Sequence, residues 1–426
     1  MLRALLQEPD ICKPAAMYQR VQTSQHISKK SLNSSIASSP RFHRRAFIDY
    51  TGIMSRSTSE IPFHHSRFGT LGVEMEWMCV DADSGRQMPA APQVFSVVGD
   101  TPRIKPELFT SIVETNTDIQ FSTADAMVQL ADLYREVESV LKNHDAALLS
   151  SGTHPISHWR EQVVSDDPRY YKLLRRLQWV ARRFNICGIH VHIGMPDGDT
   201  CIKAMNHLLP IMPVFLAISA NSPFWHGEKT GLAASRIKIF EGLSQGGMPF
   251  YFTDWKDFEH CTDRLRATGS IESVRDIWWE MRPHPDFGTL EVRIGDMPAR
   301  FDDSAAYIAY VRAEAMAAAQ DEQRPKVHPS LIRENRWRAC RYGIRATIID
   351  PFTEELIPTL DWLERRLDQL AELGIAGSEL DLIQSQIGHW RNDGGGAESQ
   401  RELFNTTDDF SAMIRAMREL DGWSRA

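Results

Sequence analysis

Between Thr70 and Asp81 the side chains alternate: Leu71, Val73, Met75 and Trp77 fall on one side, Gly72, Glu74, Glu76 and Met78 on the other. A period of two predicts a strand with one apolar face. Ile186–Gly194 repeats the pattern with Ile189, Val191 and Ile193, and Thr289–Asp296 with Leu290, Val292 and Ile294. Val113-Glu114-Thr115-Asn116 is a shorter, less regular case. Elsewhere the period is helical. Ser122 with Asp125 resembles a capping box, followed by Met127, Leu130, Tyr134, Val137 and Leu141, and the helix is expected to stop before Gly152. Pro168 after Asp167 predicts a second helix, running through Tyr171, Leu174 and Phe184. Further helices are expected from near Asp199, from about Asp303 to Gln320, and from Thr353 to Leu373. Gly394-Gly395-Gly396 lacks the GK[ST] ending of a phosphate-binding loop and reads as a flexible connection. There is no internal repeat.

Composition changes the picture mainly at the N-terminus. The 426 residues carry a net charge of −8, with 42% hydrophobic and 24% charged residues, which are ordinary globular proportions. Residues 1–66 carry nine Lys/Arg against four Asp/Glu, and eleven serines, without hydrophobic periodicity. They read as a basic, disordered extension, and the domain proper as 67–426. Such a segment is either organelle-targeting or upstream of a true start at Met54, the second being favoured. The acidic balance of the rest argues against nucleic acid as a partner. The apolar run Leu208–Ala220 is interrupted by Pro210 and Pro213, so no membrane span is expected. Six scattered cysteines without a CxxC pair suggest a reducing, cytoplasmic setting.

Candidate chemistry lies opposite the apolar faces. Glu74 and Glu76 share a strand face, as do His190 and His192, and Glu291 and Arg293. Any one strand of this kind could be a solvated surface. Their coincidence is harder to dismiss. Two carboxylates about 7 Å apart repel by roughly 2–3 kcal/mol at an effective dielectric near 20, so burying several requires cations. A face of Glu, His and Arg suits divalent metal ions and phosphoryl chemistry; from the pattern alone the reaction is unspecified.

The same residues carry a resemblance. Leu71-Gly72-Val73-Glu74-Met75-Glu76-Trp77, Val113-Glu114-Thr115-Asn116-Thr117, Gly152-Thr153-His154-Pro155 and Cys187–Gly194 resemble the glutamate–cysteine ligase type 2 family. So do Ser219–Trp225, Thr289-Leu290-Glu291-Val292-Arg293 and Glu334–Ala339, in the same order. Coverage runs from about Phe68 to the C-terminus. Two positions depart: Gly295 stands where the family commonly has Cys, and Ser235 where an aromatic residue often precedes Arg236. The resemblance implies an α+β fold with a curved, largely antiparallel sheet, helices on its outer face, like the glutamine synthetase catalytic domain. It implies ATP and Mg²⁺ as cofactors, with Glu74, His190 and Glu291 on the metal bridging the ATP phosphates. Glu76 and Glu114 would hold the metal near the acceptor carboxylate. Arg293 would face the phosphoryl group, Arg236 would help bind the nucleotide, and His192 would contact substrate or support the ligands. The implied reaction joins glutamate, through an acyl phosphate, to cysteine, giving γ-glutamylcysteine. Amino acids would be the partners, with a homodimer possible. A metal-dependent amide hydrolase or a guanidino-kinase-like phosphotransferase are the alternatives on the same residues.

Overall fold

The computed structural model describes residues 61–99, 101–321 and 326–426. Its centre is a seven-stranded sheet: β1 (Leu71–Asp81), β2 (Ile104–Pro106), β3 (Ile112–Asn116), β4 (Ala146–Leu149), β5 (Ile189–Gly194), β6 (Met281–His284) and β7 (Thr289–Val292). The order is β6-β7-β5-β1-β3-β2, with β4 pairing the far end of β1, and every one of these pairs is antiparallel. This is the expected α+β architecture. The alternation read from the sequence decides which face is buried. Leu71, Val73, Met75, Trp77, Ile189, Val191, Ile193, Leu290 and Val292 are at most 1% exposed. They lie under helices Thr123–Lys142, Gly198–Leu208 and Phe301–Gln320. The last of these is alanine-rich and buried along nearly its whole length, as close packing of a helix on a sheet requires.

The helix starts follow their capping chemistry. Ser122 accepts from the Asp125 N–H and its hydroxyl donates back to the Asp125 carboxylate at 2.6 Å; the Asp167 carboxylate caps the Pro168 helix by accepting the Arg169 N–H at 2.8 Å. Several expectations need correction. The first helix does stop before Gly152, at Lys142, but an unforeseen strand, β4, lies between them. The Pro168 helix breaks at Gln178, whose φ of 49° and ψ of −125° admit no helical continuation, into Pro168–Leu177 and Trp179–Arg182. The helix expected from Thr353 begins at Thr359, because Leu356–Pro358 pairs with Thr347–Ile349 in a small hairpin.

Gly394–Gly396 is not a flexible connection. Gly394, at φ 82°, ends one helix, and Gly396 opens the next so close to Asn221 that an added Cβ would lie 2.5 Å from its side-chain oxygen. Of the extension expected over 1–66, residues 1–60 lie outside the described residues. Residues 61–66 pack on the body instead: His64 N–H donates to Pro285 O at 3.0 Å, Ser66 N–H to Met195 O at 3.1 Å, and Phe63 meets Trp255 edge-on at 5.1 Å. Among the described residues no single helix is long and apolar enough to cross a membrane.

Candidate active site

Directly opposed residues of an antiparallel pair project to the same face, and the register stacks the charged positions side by side. Glu291 lies opposite His192 and Arg282, Glu74 opposite His190, and Glu76 opposite Glu114. The sequence-selected strand residues Glu74, Glu76, Glu114, His190, His192 and Glu291 therefore meet on the face away from the core. Five of them, joined by Glu107, form two groups whose ligand atoms lie within 4.8 Å of one another: Glu74, His190 and Glu291, and Glu76, Glu107 and Glu114.

In the first group His190 Nδ1 is 2.9 Å from Glu74 Oε2. His192 bonds Thr289 Oγ1 at 2.9 Å, and its Nε2, buried without a hydrogen-bond partner, lies 3.5 Å from Glu74 and 3.9 Å from Glu291. Glu291 is 1% exposed and accepts from Arg282 Nε at 2.7 Å and from Arg293. Burial would raise its carboxyl, but the two guanidinium groups hold it well below the usual carboxylate range. Burial also opposes Glu74, which His190 and His192 keep low by hydrogen bonding. His190 is pushed down to about 4, by burial first and then by Arg293. Burial acts to lower His192 as well, yet Glu291 and Glu74 overcome it and raise the imidazole.

The second group has the opposite electrostatics. Burial raises Glu76 to about 7, against the pull of Arg236, and raises Glu114 and, well above its ordinary value, Glu107. Lys105, 3.7 Å from Glu114, is the one ion-pair partner of this trio among the described residues. A buried carboxylate trio raised by its own burial has the donor chemistry of a hard divalent ion site; the first group offers two carboxylates and an imidazole. Both sets fit Mg²⁺.

Arg236, 1% exposed, sits at the Glu76 end: a Cβ on Gly188 would lie 2.1 Å from its Nη2, and the Gly188 N–H donates to Glu76 at 2.6 Å. Its Nε is buried without a partner. The two departures from the family pattern have local reasons. Tyr307 fills the space a side chain at Gly295 would need, with its hydroxyl 2.6 Å from the added Cβ. Ser235 donates to Ser222 O at 2.6 Å.

Sequence reasoning missed Glu107 and Arg282. Other matched motifs build the walls of the site without entering it. His154 takes the Ser157 N–H at 2.9 Å, Ser222 donates to Asp296 at 2.6 Å, and Arg336 pairs with Glu280 and, at 2.8 Å, with Glu241.

The comparisons with known proteins bear on the family and the fold. The model of glutamate–cysteine ligase family 2 matches residues 70–419. A protein of Gloeobacter violaceus named "Putative glutamate--cysteine ligase 2" is 39% identical over 366 residues, covering 83% of this chain and 97% of its own. One of the same name from Bdellovibrio bacteriovorus is 35% identical, covering 84% and 96%. Glutamate–cysteine ligase of Francisella tularensis, crystallised with AMP, superposes with a TM-score of 0.64 at 14% identity, over 85% of this chain and 90% of that one. A bifunctional glutathione synthetase of Pasteurella multocida gives 0.65 at 13% identity, over 83% and 52%. At such identities the two structures establish the fold, and the sequence matches establish the lineage: the chain belongs to glutamate–cysteine ligase family 2 and is an ATP-dependent ligase.

Proposed function

We propose that this face activates a carboxylate, the γ-carboxylate of glutamate, as an acyl phosphate and joins it to the amine of cysteine, giving γ-glutamylcysteine, ADP and phosphate. The observation that carries the reading is the pair of ligand groups on one sheet face, with Arg293 close enough to act on both: it lowers His190 in one and Glu76 in the other. A carboxylate is a poor electrophile and repels ATP. Joining the two requires fixed positive charge on both oxygen sets and in-line placement.

Glu74, His190 and Glu291 would hold a magnesium ion against the nucleotide's terminal phosphates, and Glu76, Glu107 and Glu114 a second near the acceptor acid. When bound, such ions neutralise phosphoryl oxygens and orient them. The chain's own residues do the rest. Arg293 turns its buried guanidinium toward the group in transfer, while Glu291 keeps it in place. Thr289 and the two carboxylates orient His192 between the ligands. Arg236, wedged against Gly188, adds charge beside Glu76. The acyl oxygen's bond to phosphorus forms as ADP leaves; the amine nitrogen then bonds the carbonyl carbon, phosphate departs, and the nitrogen gives up its proton.

The test is phosphate release from ATP and Mg²⁺ by purified protein, screened over amino acids, with hydroxylamine as a trap. One phosphate per amide, and a hydroxamate that needs ATP, are expected. Turnover without ATP would replace the ligase with an amide hydrolase. A stable phosphorylated product would replace it with a kinase.

A further inference from the structure

Arg336 stands in the middle of the helix Pro329–Tyr342 and is buried. Its Nε donates to both oxygens of Glu280, at 2.9 and 2.8 Å, and its Nη2 donates to one of them. Its Nη1 donates to Glu241 at 2.8 Å. Glu280 is 0% exposed, and Arg336 supplies the cation its carboxylate needs. Such a trio is a poor device for stability alone, since apolar side chains of similar volume commonly hold a core as well. What it adds is fixed geometry, because a planar guanidinium bonds two carboxylates only in set directions.

The two carboxylates stand on the segments that carry the arginines of the site. Glu280 immediately precedes β6; its carbonyl accepts the Arg293 N–H at 2.8 Å, and its own N–H donates to Gly247 O at 2.9 Å. Glu241 ends the short helix Arg236–Phe240, its N–H donating to Ile237 O at 3.0 Å. The Phe240 ring faces both guanidinium groups, with Arg236 5.4 Å and Arg293 6.0 Å from its centre. We infer that Arg336 is a positioning residue: by clamping Glu280 to Glu241 it sets the spacing between Arg293 and Arg236. The inference rests on the ligase reading and gives the buried trio a part in it. Charge that develops during phosphoryl transfer is sensitive to such spacing, since about 1 Å of misplacement can cost roughly a hundredfold in rate.

The experiment uses the full chain with Arg336→Lys, with the neutral pair Arg336→Met/Glu280→Gln, and with each of these added to Arg293→Lys. Lysine keeps a charge for Glu280 but cannot hold Glu241 at the same time. The neutral pair removes the clamp without leaving Glu280 buried and unpaired. Melting temperature, kcat for phosphate release and KM for ATP are measured on each. Both changes at Arg336 should lower kcat tenfold or more and move the ATP KM less than threefold. Added to Arg293→Lys, either should lower kcat by less than a further threefold, because the spacing matters only while both guanidinium groups are present. Losses that multiply would mean that Arg336 acts on the fold at large and would overturn the inference, as would kcat within twofold of wild type. Should the neutral pair fail to fold, Glu241→Gln, which frees one arm of the clamp, decides: it should lower kcat three- to fivefold alone and not at all beside Arg293→Lys. An active wild type with multiplying losses sinks this inference alone; a wild type that releases no phosphate from ATP sinks the ligase reading with it.

Discussion

Glu76 is raised to about 7 by burial, with Glu114 adding to the effect and Arg236 opposing it. With the folded value above the unfolded one of 4.5, the protonated carboxyl favours the fold fully below pH 4.5. That contribution is lost as pH rises through 7. A bound cation takes over compensation there, because ligands must be deprotonated to bind it. Mg²⁺ affinity at this trio should therefore climb as pH rises through 7, by about tenfold per pH unit for each proton displaced. Calorimetry in buffers of different ionisation enthalpy should find more protons released on Mg²⁺ binding at pH 6 than at pH 8, and Glu107→Gln should weaken the ion. A pH-independent affinity would remove the trio as a magnesium site. Seven of the site residues, Glu74, Glu76, Glu114, His190, His192, Glu291 and Arg293, could be read from the strand pattern and the resemblance it supports. Glu107 could not, since it follows a strand of only three residues, too short to show a period. Arg282 was hidden by its neighbour Pro283, which argues against a strand in sequence but is tolerated in β6 because that strand is an edge.

At the scale of elements, caps announced helix starts while breaks stayed silent. Asp167 and Ser122 name their helices because a side chain must satisfy the first free N–H groups. Nothing in Leu177-Gln178-Trp179 announces a glutamine in the left-handed region, where a non-glycine residue costs about 1–3 kcal/mol. Gln178→Gly should relieve that strain against the smaller entropy cost of glycine in the unfolded chain, for a net gain of about 1 kcal/mol. Gln178→Val should lose at least as much. Urea midpoints at constant m-value would show both, and a stabilising valine would mean the segment is not held in this conformation. β4 escaped notice for another reason. Ala146-Ala147-Leu148-Leu149 is buried on both faces, so it does not alternate, and at four residues it is too short to show a period.

Across the whole molecule, the misjudged part was the stretch just before the matched family region. Its serines and net positive charge outweighed six residues attached largely through backbone bonds and one aromatic side chain, too short a stretch to show a period. A chain beginning at Met54 keeps every contact described for residues 61–66. It should melt within a degree of the full chain and match its kcat/KM within twofold. A chain beginning at Arg67 should melt lower, since His64 and Ser66 no longer bond the loops after β5 and β6. A large loss from removing only 1–53 would show that the earlier residues bear on the domain. β1, finally, behaves as a ruler. Its neighbours on both sides pin Glu74 to His190 and Glu76 to Glu114, so the two ligand groups stand one pleat repeat apart, about 7 Å. No loop can lengthen or shorten that interval. On the proposed reading, changes around the rim would exchange one acid or amine for another, while the distance between the two ligand groups stays set by the pitch of a single strand, and a slip of one residue in β1 would erase the site and the core together.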